Sequence, residues 1–396
     1  MVKFEQKKFA SELPAFFNSI LEDLKKEGFI STLVGGAVRD FFLLDSPGLD
    51  WDIELTHETL AFNKSQWKEL GKNFGKYGRV TFLPYDIIRL EAGDFQIEFS
   101  PPRIEHYIEN SQDHSNFTAE FNFKLPFPEA VKRRDFTINA MGIRFTDAKR
   151  MDLIDPLNGL LHLREKTLHY AGPDFGKDPV RYLRAMRFRN RLGFTFTPEL
   201  KSVLDQMNLG ALTPAYIWSE MQKSGDPIHF LSVLLSEKEK HPELKLPVDD
   251  RFKNKIAELR KVLQDPARHE AWMIALEWVG LSSEEWSSFF SLSSETSRRM
   301  ARWAASSREF GHLMPESFHG EFEEVREKPD FEKIFDWYFT TRHLLQKNPQ
   351  LPLLKMIEEY LPAWIHLFRF EPPKDVKHID PPFRAKYQVW NLCQRL

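Results

Sequence analysis

Apolar residues recur at helical spacing over residues 8–27 (KFASELPAFFNSILEDLKKE), which predicts one amphipathic helix with Gly28 as its stop. Phe29 to Val34 is a short apolar run that ends in Gly35-Gly36 and predicts a strand. Ala37 to Leu44 then predicts a helix. Leu49 to Leu55 alternates strictly and predicts a half-buried strand, with further strands at Arg79 to Leu83, Asp86 to Leu90 and Phe95 to Phe99. From about residue 175 the pattern becomes helical. DPVRYLRAMRFRNRLGF predicts a helix stopped by Gly193, and the later chain is helical stretches broken by Pro, Gly and polar turns. Residues 236–250 (SEKEKHPELKLPVDD) are the most linker-like stretch, and no fixed-period repeat is visible. The pattern predicts an α/β head followed by a longer all-α tail.

Composition narrows the class. The chain has 396 residues, 42% hydrophobic and 29% charged, enough for two or three domains with real cores and too apolar for a mainly disordered chain. No stretch approaches the roughly 20 apolar residues of a membrane span, and the charged start does not read as a secretory signal. One cysteine, Cys393, excludes an intrachain disulfide and a cysteine-rich zinc site, and a cytoplasmic location is the expectation. With 55 basic and 58 acidic residues the net charge is −3, so a nucleic-acid partner requires a local basic patch. The 35 Phe residues predict a Phe-rich core.

Three segments carry candidate chemistry. In LVGGAVRDFFL (33–43) a strand ends in Gly35 and Gly36 and a helix begins. Glycines allow close approach of backbone to phosphate, free N–H groups at a helix start favour anions, and Arg39 lies in the first turn. In LDWDIEL (49–55) the side chains alternate, so Asp50, Asp52 and Glu54 share one face and Trp51, Ile53 and Leu55 the other. Carboxylates two residues apart on a strand, about 7 Å between Cα atoms, both reach one or two Mg²⁺ ions. Alone the motif reads slightly better as a solvated strand face, a reading weakened because acidic residues are poor strand formers and three are aligned just after the glycine turn. In the helix from Asp178, Arg184, Arg187 and Arg191 share a face, and no acid occurs between Arg181 and Arg191. That predicts an anion-binding surface suited to triphosphate or an RNA backbone.

GGAVRD followed by Asp-x-Asp resembles the head of the bacterial tRNA nucleotidyltransferase and poly(A) polymerase family, the class II branch of the polymerase-beta-like nucleotidyltransferases. AVKRRDFTINAMG (130–142) is similar to the family's Arg-Arg-Asp motif, LIDPLNGLLHLREKTLHYAGP (153–173) to its connecting segment, and KDPVRYLRAMRFRNRLGF (177–194) to its nucleotide-selecting helix. These ordered motifs cover residues 33–194, about half the chain; no motif is found beyond residue 200. The resemblance implies an α+β fold: a nucleotidyltransferase head with a small mixed sheet and helices on one side (1–145), an all-α neck that selects the nucleotide (146–215), and an all-α body and tail that bind tRNA (216–396).

The resemblance also assigns roles. Asp50 and Asp52 are the Mg²⁺-binding catalytic pair, and Glu98 is a third acidic strand position, followed by Arg103. Gly35, Gly36 and Arg39 hold the triphosphate. Arg133, Arg134 and Asp135 contact triphosphate and ribose, with Asn139 bracing the loop. Asp178 and Arg181 choose the base, and Arg184 and Arg187 bind anions. Glu54 stands where the family is usually uncharged and has no assigned role. Cytosine and adenine each present an amino donor beside a ring-nitrogen acceptor, so a carboxylate and a guanidinium three apart on one helix complement both. The implied activity is template-independent addition of CCA to the 3′ end of tRNA from CTP and ATP. The alternatives are CC-only addition, A-only addition and RNA polyadenylation.

The tail (EPPKDVKHIDPPFRAKYQVWNLCQRL) is of mixed charge, which favours tRNA over polyadenylation. The polar stretch His106 to Glu120, which predicts a mobile loop, favours full CCA addition. Lys177 stands where CCA-adding members carry Glu. No His-Asp dipeptide occurs, so the phosphohydrolase domain of longer members is not expected. Two rivals are a catalytically dead RNA-binding scaffold and a nucleotidyltransferase of small molecules. The intact Asp50, Asp52 and Arg39 oppose the first, and the arginine-rich helix with its long helical tail opposes the second. The sequence leaves the oligomeric state open.

Overall fold

The structure is a computed structural model and describes residues 4–107, 117–147, 150–246, 252–256 and 283–290. The chain divides into two compact units, residues 1–212 and 213–396.

The first unit is built on a mixed seven-stranded sheet. Its elements are α1 (Gln6–Ser11), α2 (Ala15–Lys26), β1 (Phe29–Val34), α3 (Gly36–Leu44), β2 (Asp50–His57), α4 (Lys64–Asn73), β3 (Arg79–Leu83), β4 (Ile87–Ala92) and β5 (Phe95–Ser100). There follow β6 (Arg103–Tyr107), β7 (Phe117–Phe121), α5 (Phe127–Ala130), β8 (Gly142–Asp147), β9 (Arg150–Ile154), α6 (Gly159–Arg164), β10 (Thr167–Leu168), α7 (Val180–Leu192), β11 (Thr195–Phe196) and α8 (Pro198–Gln206). The strand order is β3-β4-β5-β2-β1-β8-β9. β2 lies between β1, antiparallel with Val34 opposite Asp52, and β5, parallel with Asp52 beside Glu98. Cross-strand partners share a face, so Val34, Asp52 and Glu98 do.

The other face of the sheet is the core. Leu33, Trp51, Ile53, Leu55, Ile97 and Phe99 are buried, and Phe17 of α2 meets the Trp51 ring edge-on at 5.0 Å. Phe9, Phe41, Phe74, Phe136 and Phe145 are buried too, so the Phe-rich core is real among the described residues. On the face that carries Asp52, Val34 packs with Phe127, Val131, Ala140 and Ala171.

Three details differ from the sequence expectation. The single helix over 8–27 is two helices, because Pro14 lacks an N–H and takes an extended backbone (φ −68°, ψ 146°) between them. The sheet runs on past residue 145 to β9, since Phe145 and Met151 are buried and β9 pairs along β8, and β10 pairs with β11, so residues 146–215 are not the all-helical neck expected. The ends of the stretch 106–120 are paired strands, with Tyr107 opposite Phe117 in the β6–β7 hairpin. Residues 108–116 lie outside the described residues.

In the second unit the described elements are helical: α9 (Pro214–Gln222), α10 (Pro227–Glu237) and Ser283–Phe289. Trp218 packs on Phe290 at 4.7 Å beside a buried Trp286. The linker-like stretch is packed as far as it is described, with His241 and Leu244 buried. Cys393 and the tail lie outside the described residues. No helix among the described residues is long and apolar enough to cross a membrane.

Candidate nucleotidyl-transfer site

Strand β2 presents Asp50 and Asp52 side by side, both exposed, while Trp51 and Ile53 anchor the strand in the core. Among the described residues neither carboxylate makes a hydrogen bond or an ion pair. Next to them α3 begins at Gly36 with no side-chain cap. Gly35 has φ 81° and ψ −138°, a region that residues with a Cβ avoid. A Cβ on Gly35 would lie 2.9 Å from Asp52 Oδ2 and 3.1 Å from Arg134 Nη1. The glycine thus leaves room for a carboxylate and a guanidinium to converge on an uncapped helix start, which is an anion site and a cation site in contact. Two free carboxylates suit Mg²⁺, which takes one or two carboxylates and completes its shell with water and phosphate oxygens. No cluster of three or more His, Cys, Asp or Glu with metal-holding geometry exists among the described residues. Glu98 lies beside Asp52 in register but accepts from Arg89 Nε and Nη2 at 2.9 and 2.6 Å. Its carboxylate is therefore occupied by Arg89, unlike those of Asp50 and Asp52.

Behind this surface runs a buried polar relay. Arg39 Nε and Nη2 donate to the Asp40 carboxylate at 2.7 and 2.9 Å, and Nη1 donates to Asn139 Oδ1 at 2.7 Å. Asn139 Nδ2 donates to Asp135 Oδ1 at 2.9 Å, which also accepts from the Phe136 N–H at 2.7 Å. Asp135 Oδ2 accepts from Arg184 Nε and Nη2 at 2.7 and 2.5 Å. Burial alone would raise the Asp135 pKa. The Arg184 charge, with the hydrogen bonds from Asn139, Arg184 and Phe136, overcomes burial and holds it well below the usual carboxylate range. The relay links α3 to α7. It places Arg39, which is only 8% exposed, and Arg184 in bonds within the protein. Arg187 is buried with its guanidinium 4.3 Å from the Phe188 ring, and of the three arginines expected on one anion-binding face only Arg191 is exposed.

Helix α7 brings in the last pair. Asp178 and Arg181 are both buried; Asp178 Oδ1 accepts from the Val180 N–H at 2.9 Å, and its other oxygen lies 3.5 Å from Arg181 Nε. Arg181 Nη2 donates to the Arg133 carbonyl at 2.6 Å, one residue from the Arg134 that reaches Asp52 and Gly35. The residues expected to choose the base and those expected to hold the metal and triphosphate therefore meet at the Arg133-Arg134 turn.

That turn lies within a segment, residues 31–169, that matches the family model described as the poly A polymerase head domain. The curated relatives match over a longer stretch than the head-domain model does. The chain is 34% identical over 215 residues to the multifunctional CCA protein of Xylella fastidiosa (strain M12), and 32% identical over 213 residues to that of Xanthomonas oryzae pv. oryzae. These alignments cover 52% and 51% of this chain and 47% of each relative, so the chain spans about half the length of the curated relatives it matches. Solved structures share the fold over nearly the whole chain. The CCA-adding enzyme of Bacillus stearothermophilus in complex with CTP aligns with a TM-score of 0.57 at 18% identity, over 96% of this chain and 91% of that one. A tRNA nucleotidyltransferase complexed with a primer tRNA and an incoming ATP analog aligns with a TM-score of 0.53 at 23% identity, over 88% and 98%. The α+β fold expected from sequence is the fold found.

Around the head domain's site, sequence reasoning passed over four residues. Asp40 was quoted in the glycine motif without a role, although an acid next to Arg39 is the signal. Glu54 was set aside. It is 1% exposed, with Arg133 Nη2 3.5 Å away and no hydrogen bond to either oxygen. Arg89 gave no signal until its strand was paired with Glu98. Tyr107 was read as part of a polar loop, yet its hydroxyl accepts from Arg181 at 3.2 Å.

Proposed function

We propose that this protein adds CCA to the 3′ end of tRNA without a nucleic-acid template, using CTP and ATP, in the cytoplasm and with Mg²⁺. The observation that carries the reading is the convergence of free Asp52 and Arg134 on Gly35 at the start of α3, beside the equally free Asp50. The similarity to multifunctional CCA proteins, and to solved enzymes holding CTP, or primer tRNA with an ATP analog, supports the choice of substrates. The same reading assigns residues 1–145 to the catalytic head, 146–215 to a neck that selects the nucleotide, and 216–396 to a helical body and tail that bind tRNA.

Asp50 and Asp52 would hold Mg²⁺, with Glu98 in reserve behind Arg89. Bound there, Mg²⁺ lowers the barrier to attack of the 3′-hydroxyl on the α-phosphate and neutralises the pyrophosphate that leaves. The α3 N–H groups at Gly36 and the Arg134 guanidinium take the negative oxygens of the triphosphate. Arg39 and Asn139, tied to Asp135, keep the helix start aimed at it. Asp178 accepts from the amino group of cytosine or adenine and Arg181 donates to the adjacent ring nitrogen. Uracil and guanine present the opposite pattern, an acceptor facing the Asp178 carboxylate and a donor facing the Arg181 guanidinium, which is a basis for rejection.

The test is extension of tRNA ending at the discriminator, after one C or after CC, with each labelled nucleoside triphosphate and Mg²⁺, and with EDTA as the metal-free arm. Ordered addition of C, C and A that EDTA abolishes supports the reading. Addition of C only, of A only, or of long A tracts to unstructured RNA replaces it with one of the other three activities.

A further inference from the structure

We infer that Tyr107 is a positioning residue for nucleotide choice, its hydroxyl fixing the rotation of the Arg181 guanidinium; the inference rests on the proposed function. Arg181 is 5% exposed, so the orientation of its planar group is set by protein atoms. Two acceptors share its Nη2: the Arg133 carbonyl at 2.6 Å and Tyr107 Oη at 3.2 Å. Nε faces the Asp178 carboxylate at 3.5 Å. Nη1 is buried and has no hydrogen-bond partner among the described residues. A guanidinium is rigid, so two acceptors on Nη2 and a carboxylate near Nε define its plane and the direction of Nη1. Nη1 is then the donor left for a base.

Lys177 is turned away from this duty. Its ammonium is 2.6 Å from Asp174 and 6.0 Å from the centre of the Tyr107 ring. The residue before Asp178 thus offers Arg181 no acceptor, and the hairpin strand β6 supplies one instead. Burial pushes the Tyr107 pKa up to about 12, so the hydroxyl stays neutral at working pH. A neutral acceptor orients the guanidinium without cancelling its charge, which a second carboxylate would do. The Tyr107 ring is itself held by Phe117 across the hairpin at 5.7 Å.

Tyr107→Phe removes the oxygen and keeps the ring against Phe117 and Lys177. With the full chain, Mg²⁺ and tRNA ending at the discriminator, the kcat/KM ratio of CTP over UTP is measured for wild type and variant. The expected result is a fall in that ratio of roughly tenfold, the scale of one lost hydrogen bond to a charged group. The KM for CTP should move by less than about threefold, because the triphosphate contacts are elsewhere, and the melting temperature should be unchanged. A ratio that holds within about twofold, or that falls only in step with melting temperature, overturns the inference. Wild-type protein that extends no tRNA overturns the proposed function, and the inference falls with it. Extension by wild type with an unchanged ratio in the variant overturns the inference alone.

Discussion

Two carboxylate centres in the first unit behave in opposite ways. Asp50 and Asp52 stand exposed on β2 with no hydrogen bond or ion pair among the described residues. Asp135, 7% exposed, has both oxygens filled by Arg184, Asn139 and the Phe136 N–H. An unpaired carboxylate adds little to stability and is free to bind a cation. A saturated one adds little to chemistry and fixes what surrounds it. Residue type alone does not separate these roles, and the number of protein partners does.

The comparison breaks most sharply in the first centre. Asp50→Ala or Asp52→Ala should reduce nucleotide transfer below about a tenth of the wild-type rate, with tRNA binding and melting temperature unchanged. Retention of more than that rate in single-turnover extension removes the pair from the metal role. Asp135→Ala should do the reverse and destabilise the first unit by about 1–3 kcal/mol, as read by urea unfolding, because it removes the buried acceptor of Asn139 Nδ2 and the Phe136 N–H. The pH dependence follows the same logic. The folded pKa of Asp135 lies below its unfolded value, so its contribution is complete above about pH 4. It is lost as pH falls from there through the folded pKa, and the Asp135→Asn variant should show a flatter acid limb. An unfolding free energy with the same acid slope in both proteins contradicts this.

Gly35→Ala sharpens the contrast, because it strains the backbone by about 1–3 kcal/mol and also drives a methyl group toward Asp52 and Arg134. Transfer should fall further than stability does, and equal losses would assign the glycine to folding alone. The smallest effect is expected from Lys177→Glu. Arg181 is already oriented by Arg133, Asp178 and Tyr107, so selectivity for CTP over UTP should stay within about threefold or sharpen. Loss of CTP use would show that Lys177 takes part in base choice.

The fold was largely legible because alternation and helical spacing report burial directly. Trp51 and Ile53 go inward and Asp50 and Asp52 outward, as the pattern predicts. The pattern misled at Pro14, where spacing continued through a residue that cannot carry the helix, and at Glu54, whose side chain is buried against Arg133. Candidate site residues were legible as a set, since the motifs place them near one another. Their individual states were not. Arg39 and Arg184 read as anion binders, and the structure commits both to carboxylates that lie far away in sequence or were passed over. The Tyr107 contact spans 74 positions, and no local pattern carries information at that range.

The bond from Arg181 to the Arg133 carbonyl has a consequence for how the protein is made. A chain emerges from the ribosome in order, and long-range contacts form after local ones. β1, α3 and β2, with Asp50 and Asp52, are complete by residue 57, yet the turn that carries Arg134 gains its clamp only when α7 has left the exit tunnel. A nascent chain shorter than about 190 residues plus the tunnel length therefore presents the two carboxylates without the guanidinium set opposite them. On the proposed reading such a chain would carry the metal-binding pair before the base-choosing pair, so fidelity would be acquired last in the synthesis of the first unit.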